Sequence, residues 1–161
     1  LWQQLAALKL AFPNVGMATD MICCPGLDFC SLANATSLSV AKDIHERLDN
    51  LDYLYDIGEL RINISGCVNG CAHQSVGHIG ILGVDKHGEE WYQLTLGGSS
   101  SNEAVLGERL GPSVPKHAVA DVVMTILKTY VAQRQDEETF LQTVQRVGIG
   151  PFKEQVYANN H

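Results

Sequence analysis

The sequence predicts an α+β domain built from a mixed or antiparallel sheet flanked by helices. Segments with the two-residue alternation of strands lie between segments with helical periodicity. No regular βαβ alternation orders these segments, which argues against a doubly wound parallel sheet. With 161 residues, of which 45% are apolar, the chain suffices for one packed core and is too short for two full domains.

Helical periodicity marks four segments. A proline at residue 13 stops the first, and Pro115 suits the opening turn of the third. The acidic run at 136–138 favours a helix N-terminus, and Gly148 is suited to end that helix. The predicted helices cover residues 1–11, 36–51, 115–130 and 136–148, and residues 151–157 are expected to form a short turn.

Three segments have the pattern of strands. In the first, Leu60, Ile62 and Ile64 alternate with polar residues, which predicts a half-buried strand over 60–65. The other two, 79–84 and 91–96, are separated by the turn-forming residues 85–88 and predict a hairpin. We expect residues 12–35 to form a short extended stretch and a loop, and residues 97–115 to form a long loop.

The net charge and the first residues of the chain argue against several classes of protein. A net charge of −7 without a Lys/Arg stripe argues against a nucleic-acid partner, and no segment is apolar enough to span a membrane. The chain opens on Leu1-Trp2 without a basic segment, so we expect a piece of a longer cytoplasmic protein without a signal peptide. Residues 1–11 are interpreted as the end of a neighbouring subdomain, and 12–161 as the main domain.

Four of the five cysteines form two pairs, Cys24-x5-Cys30 in a Pro-Gly loop and Cys67-x3-Cys71 directly after a strand. A 4Fe–4S cluster needs four converging thiolates, and Gly-rich loops allow the tight backbone turns around it. A structural zinc site also takes four thiolates, although its pairs are usually two to four residues apart. The cysteines could also be buried small side chains. The spacing favours a cluster over zinc, and both over the third interpretation.

The two cysteine motifs resemble the signature of the siroheme sulfite and nitrite reductases, and in detail they are most similar to bacterial assimilatory sulfite reductase hemoproteins. The resemblance extends from Phe12 to Tyr157 and includes Gly97-Gly98 after the third strand. The motifs are Ile22-Cys23-Cys24-Pro25-Gly26-Leu27-Asp28-Phe29-Cys30 and Ser65-Gly66-Cys67-Val68-Asn69-Gly70-Cys71.

The resemblance implies the C-terminal, 4Fe–4S- and siroheme-binding domain of such a reductase. Cys24, Cys30, Cys67 and Cys71 would ligate the cluster, and the sulfur of Cys71 would also bridge to the siroheme iron. Electrons would come from a flavoprotein or ferredoxin. The substrate would be sulfite, reduced to sulfide in a six-electron reaction, or alternatively nitrite, reduced to ammonia. The cofactors would supply the redox chemistry while the protein positions and tunes them.

Four further residues lie in or near the two cysteine motifs. Cys23 stands where the family usually has a small non-ligand residue, and the x5 register favours Cys24, so Cys23 is predicted to be a packed thiol. His78 stands where the family often has an acidic residue. Both His73 and His78 are interpreted as ordinary surface or core histidines, with proton delivery as the alternative. Asn69 is placed at the cofactor site, where its side chain is expected to cap or stiffen the turn rather than to contact substrate.

The basic residues that siroheme carboxylates and anionic substrates require are missing beside the cysteine motifs. The chain has eleven Lys and Arg residues, none of them next to the cysteine pairs. In the resembling family these cations come from the N-terminal half of the enzyme, which is therefore an expected partner. A cluster-only electron-transfer module and a zinc-stabilised structural domain remain the alternatives.

Overall fold

The computed structural model describes residues 1–8, 10–11, 13–48, 50–102 and 104–158. Within these ranges the chain forms a six-stranded sheet and six α-helices, which confirms the predicted α+β class. The strands are β1 (Ile22–Cys23), β2 (Ile62–Ser65), β3 (Ile79–Lys86), β4 (Glu89–Leu96), β5 (Glu108–Arg109) and β6 (Val114–Pro115). The helices are α1 (Trp2–Ala7), α2 (Leu38–Arg47), α3 (Leu51–Ile57), α4 (Val119–Gln133), α5 (Phe140–Val147) and α6 (Gly150–Tyr157).

The sheet is mixed, with the order β1-β2-β3-β4-β5 and with β6 also paired to β4. Strand β2 is parallel to both β1 and β3, whereas β3 and β4 form the predicted antiparallel hairpin. His87 and Gly88 form its two-residue turn, both at positive φ (57° and 83°), which matches the right-handed twist of paired strands. Because β1 and β2 run in the same direction, the loops that follow them emerge at the same edge of the sheet.

The C-terminal helices close the core. Helix α4 lies against α2, α5 and α6. Three buried rings from α4, α5 and α6 pack against one another: the Tyr130 and Phe140 rings meet edge to face with centroids 5.4 Å apart, and the Phe140 and Phe152 rings are tilted with centroids 6.1 Å apart. Such tilted pairs add to the burial of large apolar side chains. Among the described helices, none is both long and apolar enough to cross a bilayer.

The N-terminal helices differ from the prediction. The helix expected over 36–51 is α2 alone, and a second helix, α3, follows at once because the side chain of Asn50 accepts a hydrogen bond from the Tyr53 N–H at 3.1 Å. The helix expected over 1–11 is shorter and buries none of its residues. The domain boundary proposed at residue 12 falls outside the described residues and stays a prediction.

Three predictions in the C-terminal part were wrong. The acidic run does not start α5, because Thr139 and Gln142 form a capping box that fixes the start of the helix at Phe140. The expected turn over 151–157 is helix α6, in which Pro151 occupies the first turn and Phe152 is buried. The segment expected as a loop over 97–115 contains the short strands β5 and β6.

Glu138, directly before the N-cap residue of α5, forms a bidentate ion pair with Arg146 in the last turn of that helix. Its carboxylate accepts hydrogen bonds from Arg146 Nε and Nη2, both at 2.7 Å. These bonds, with others from Gln135 and Thr143, lower the pKa of Glu138 to about 2. A lowered carboxyl pKa stabilises the fold above the unfolded-state pKa, and this stabilisation is lost as pH falls towards the folded-state value.

We therefore expect Glu138→Gln to destabilise the protein above about pH 4.5, with the difference from the wild type shrinking as pH falls towards 2. Urea unfolding at a series of pH values measures this difference. Glu137→Gln, an exposed neighbour, is the matched control. Equal pH dependence in the two variants would show that the Arg146 pair does not contribute to stability.

Candidate functional site

The first cysteine pair starts where β1 ends. The backbone N–H of Cys24 donates to the Ile64 carbonyl at 3.0 Å, which continues the pairing with β2. The thiol of Cys24 accepts a hydrogen bond from the Gly66 N–H at 3.1 Å and lies 3.6 Å from Ser37 Oγ. Hydrogen bonds of this kind to sulfur are typical of the cysteine ligands of iron–sulfur clusters.

A tight turn brings the backbone of Cys30 back to Gly26. Gly26 has a positive φ of 61°, and its carbonyl accepts the N–H of Cys30 at 2.9 Å. A side chain at Gly26 would meet the backbone nitrogen of Ser37 at 2.5 Å. Gly26 is therefore required twice, once for the turn and once for the close approach of the chain.

The two cysteine loops touch at a pair of glycines. An ideal Cβ built on Gly66, the residue before Cys67, would lie 2.9 Å from the Cα of Gly26 and 2.6 Å from the Ala35 carbonyl oxygen. The carbonyl of Gly66 in turn accepts the N–H groups of Asn34 and Ala35 at 2.9 and 3.0 Å. The first loop is thus held against the start of the second.

The second loop turns over a buried polar layer on β2. Asn63 Nδ2 donates to the carbonyls of Ala72 and His73 at 2.9 and 3.2 Å, and Ser65 Oγ accepts the Ala72 N–H at 3.2 Å. Asn63 and Ser65 are only 5% and 1% exposed. The prediction of a half-buried β2 was therefore wrong, because its polar side chains bond to the backbone that follows Cys71.

Sequence reasoning did not identify Asn63 and Ser65 as supports of the cysteine loop. Alternating polar residues are typical of a solvent-facing strand side, and nothing local distinguishes them from a buried polar layer. The available signal was the position of the strand. A strand that runs directly into a cysteine loop must satisfy the backbone groups of that loop, and the polar residues on either side of Ile64 can do so.

The second loop itself is compact and open to solvent. Gly70 has a φ of 64°, its N–H donates to the Cys67 carbonyl at 3.2 Å, and its own carbonyl accepts the His73 N–H at 2.7 Å. Cys67 is buried and Cys71 exposed. The side chain of Asn69 is exposed and makes no hydrogen bond to the described part of the chain, so it does not cap the turn as expected.

Cys23 differs from its neighbour Cys24. Its side chain packs against the hydrophobic core, and its thiol donates to the Cys24 carbonyl at 3.3 Å. Burial, reinforced by Cys24 and Asp28, raises the pKa of Cys23 to about 11. A thiol of this kind stays protonated at neutral pH, as expected for a packed side chain.

The two histidines occupy different environments. His73 is exposed, with a φ of 51°, whereas His78 is 6% exposed, and its Nδ1 accepts the Arg61 N–H at 3.3 Å. Burial lowers the pKa of His78. His78 precedes β3 and therefore lies at the sheet edge opposite the cysteine loops. The interpretation of His73 as a surface and His78 as a core histidine fits these positions.

Cysteine thiols are the donors that the predicted site offers. All five cysteines are free thiols, and among the described residues no three Cys, His, Asp or Glu side chains converge as a metal-ion site requires. A cubane takes one thiolate at each of its four irons, and one backbone N–H, that of Gly66, is directed at the sulfur of Cys24.

Comparisons with known proteins match this chain to a family. Residues 17–161 match the family described as the nitrite and sulphite reductase 4Fe-4S domain. The chain is 30% identical over 132 residues to the assimilatory ferredoxin-dependent nitrite reductase of Haloferax mediterranei, a match that covers 79% of this chain and 22% of that protein. It is 29% identical over 137 residues to a sulfite reductase (ferredoxin) of Mycobacterium tuberculosis, covering 79% of this chain and 24% of that protein.

Solved structures show the same fold. The Mycobacterium tuberculosis NirA protein superposes with a TM-score of 0.78 and 28% identity over 94% of this chain and 29% of that one. Dissimilatory sulfite reductase I superposes with a TM-score of 0.68 at 14% identity, over 83% of this chain and 50% of that one, which shows the fold alone. The chain spans about a quarter of the length of the curated relatives described above. The chain belongs to the nitrite and sulphite reductase 4Fe-4S domain family.

Proposed function

We propose that this chain is the cluster-carrying C-terminal part of an assimilatory siroheme sulfite reductase. In this proposal Cys24, Cys30, Cys67 and Cys71 would hold the 4Fe–4S cluster, and Cys71 would also link the cluster to the siroheme. The observation that carries the proposal is the contact between the two cysteine loops at Gly26 and Gly66, which places both pairs at one edge of the sheet. The family match supports the same assignment.

The exposure of the four thiols supports their separate roles. Cys67 is buried, Cys24 and Cys30 are partly buried, and Cys71 is exposed. A ligand that joins two cofactors must be reachable from outside the domain, which Cys71 is. Cys23 is excluded because its side chain is directed into the core while Cys24 receives the Gly66 N–H.

The protein contributes binding and electrostatics, while a cluster coupled to siroheme supplies one-electron transfer to the bound anion. The Gly66 N–H stabilises negative charge on the Cys24 sulfur. Asn63 and Ser65 hold the backbone after Cys71 and so fix the direction of its side chain. Asn69 is exposed on the same loop and remains in the proposed cofactor site.

Exposed apolar side chains lie on or next to the cysteine loops, as expected of a site that another part of the protein completes. Phe29 is 82% exposed and Val68 75% exposed, with Leu27 and Leu32 nearby in sequence. Exposed large apolar groups of this kind mark surfaces that another protein segment covers. We assign this surface to the N-terminal half of the same enzyme, which would bring the substrate-side cations.

Sulfite is the proposed substrate and nitrite the alternative, because the relatives include enzymes named for each. The names of relatives also include ferredoxin and NADPH, so a ferredoxin or a flavoprotein is the proposed electron donor.

Free thiols in every described cysteine fit the reducing cytoplasm as the proposed location.

We expect this chain alone to reduce neither sulfite nor nitrite. Anion reduction depends on positioned positive charge, and electrostatic stabilisation of this kind is usually the largest catalytic contribution. The net charge is −7, and the described ion pairs of Arg47, Arg61, Lys116, Arg134 and Arg146 all engage acidic side chains outside the cysteine loops.

The test is anaerobic reconstitution of the chain with iron, sulfide and siroheme. We expect broad cluster absorbance with weak or no siroheme retention, and no sulfide or ammonia when a strong one-electron donor is supplied. Steady turnover would show that the substrate side lies within these 161 residues. A colourless protein that binds one zinc per chain would instead support the structural-domain alternative.

A further inference from the structure

One short segment, residues 34–37, joins the two cysteine loops. The Asn34 and Ala35 N–H groups donate to the Gly66 carbonyl at 2.9 and 3.0 Å, and the Ala35 carbonyl accepts the Leu27 N–H at 3.1 Å. Thr36 pairs with Gly26 in an isolated antiparallel bridge. Whatever fixes the 34–37 segment therefore fixes how the two loops meet.

Glu90 on β4 binds this segment at Thr36. One oxygen of its carboxylate, Oε2, accepts hydrogen bonds from the Thr36 N–H at 2.7 Å, the Thr36 hydroxyl at 2.6 Å and the Tyr92 hydroxyl at 2.9 Å. The other oxygen lies 3.8 Å from Lys116 Nζ. Hydrogen bonds to an ionised carboxylate are about twice as strong as neutral ones.

The surroundings of Glu90 make this contact rigid. Tyr92 is completely buried, and its hydroxyl also lies 2.6 Å from the Thr36 carbonyl oxygen. Strand β4 pairs along its whole length with β3, so Glu90 stands on a fixed part of the sheet. Burial alone would raise the pKa of Glu90, but the bonds from Thr36 and Tyr92 and the nearby Lys116 outweigh it and hold the pKa below its usual value.

We propose that Glu90 is a positioning residue for the iron–sulfur site. Through Thr36 it holds the 34–37 segment in place, and this segment keeps the Cys24–Cys30 loop against Gly66. Loss of the carboxylate would let the segment move, which would change the Gly66 N–H bond to the Cys24 sulfur. Hydrogen bonds to sulfur help set the reduction potential of such clusters. This inference rests on the proposed function, in which these cysteines hold the cluster.

The test compares four variants of the anaerobically reconstituted protein. Glu90→Gln removes the charge but keeps one acceptor oxygen, and Glu90→Ala removes every acceptor. Glu89→Gln, one residue away and exposed, is the control for the change in net charge. Val123→Ala, in the buried face of α4, is the control for a general loss of stability.

Two quantities are measured, the rate of cluster bleaching in air and the EPR spectrum and midpoint potential of the reduced cluster. We expect Glu90→Ala to bleach on the order of tenfold faster than the wild type, because the Thr36 N–H and hydroxyl lose the carboxylate oxygen that accepts them, whereas the Tyr92 hydroxyl keeps the Thr36 carbonyl as an acceptor. Glu90→Gln should bleach at an intermediate rate and shift the potential. Glu89→Gln and Val123→Ala should leave both the EPR spectrum and the potential unchanged.

The outcomes separate this inference from the proposed function. A wild-type protein without a cluster would contradict the proposed function itself. A wild-type cluster with unchanged bleaching, potential and EPR spectrum in both Glu90 variants would overturn the inference alone. If Glu90→Ala does not fold, Glu90→Gln, Thr36→Val and their double variant test the inference instead. The effects of the two single substitutions on the midpoint potential should be non-additive in the double variant, because both act through the Glu90–Thr36 contact. Additive effects would overturn the inference.

Discussion

Replacing Cys67 by Ser is expected to abolish or cripple the cluster while leaving the fold in place. A thiolate is the ligand that iron–sulfur clusters require, and a serine hydroxyl does not ionise near neutral pH. Cys67 is buried and directly follows Gly66, the residue at which the two cysteine loops touch. Iron and sulfide content and visible absorbance after reconstitution measure the loss.

Cys23→Ala is the matched control for this variant. Cys23 packs against the core and its thiol stays protonated, so its removal deletes only a small, partly buried group. The absorbance of the cluster should be retained at the wild-type level. Equal loss of the cluster in both variants would mean that the register of the first pair is displaced by one residue, with Cys23 rather than Cys24 as the ligand.

Replacing Gly66 by Ala is expected to force the two cysteine loops apart. The new Cβ would lie 2.6 Å from the Ala35 carbonyl oxygen, 2.9 Å from the Gly26 Cα and 3.0 Å from Ser37 Oγ. The first two are backbone atoms that cannot rotate away. Overpacking of this kind costs about 1–3 kcal/mol of stability, and the displacement would also break the N–H bond to the Cys24 sulfur.

The measurements are the free energy of unfolding of the metal-free protein and the iron content after reconstitution, and both should fall. Gly150→Ala is the control, because a Cβ there would meet no atom within 4 Å. It should be neutral or slightly stabilising. A Gly66→Ala protein with wild-type stability and iron content would show that the loops do not depend on this contact.

The sequence predicted the parts of the fold that local patterns determine. The β3–β4 hairpin lies where alternation and turn residues placed it, and each strand extends two residues further towards the turn. The cysteine pairs were identified from their spacing, and the structure places both pairs on loops at one edge of the sheet.

Features that depend on contacts distant in sequence were not predicted. The burial of Asn63 and Ser65 depends on the backbone of residues 72–73, which only the folded loop brings to them. The role of Glu90 depends on Thr36, 54 residues earlier in the chain. Helix α6 gains its stability from packing Phe152 against Phe140, a contact that no local pattern reveals.

The central claim is that the four paired cysteines hold one 4Fe–4S cluster. Mössbauer spectroscopy of the protein reconstituted with iron-57, together with iron, sulfide and zinc analysis, tests it most directly. We predict four irons and four sulfides per chain in the spectrum of a cubane, with little zinc. One tightly bound zinc per chain, or a protein that takes up no iron and sulfide under conditions that load other cluster proteins, would contradict the account.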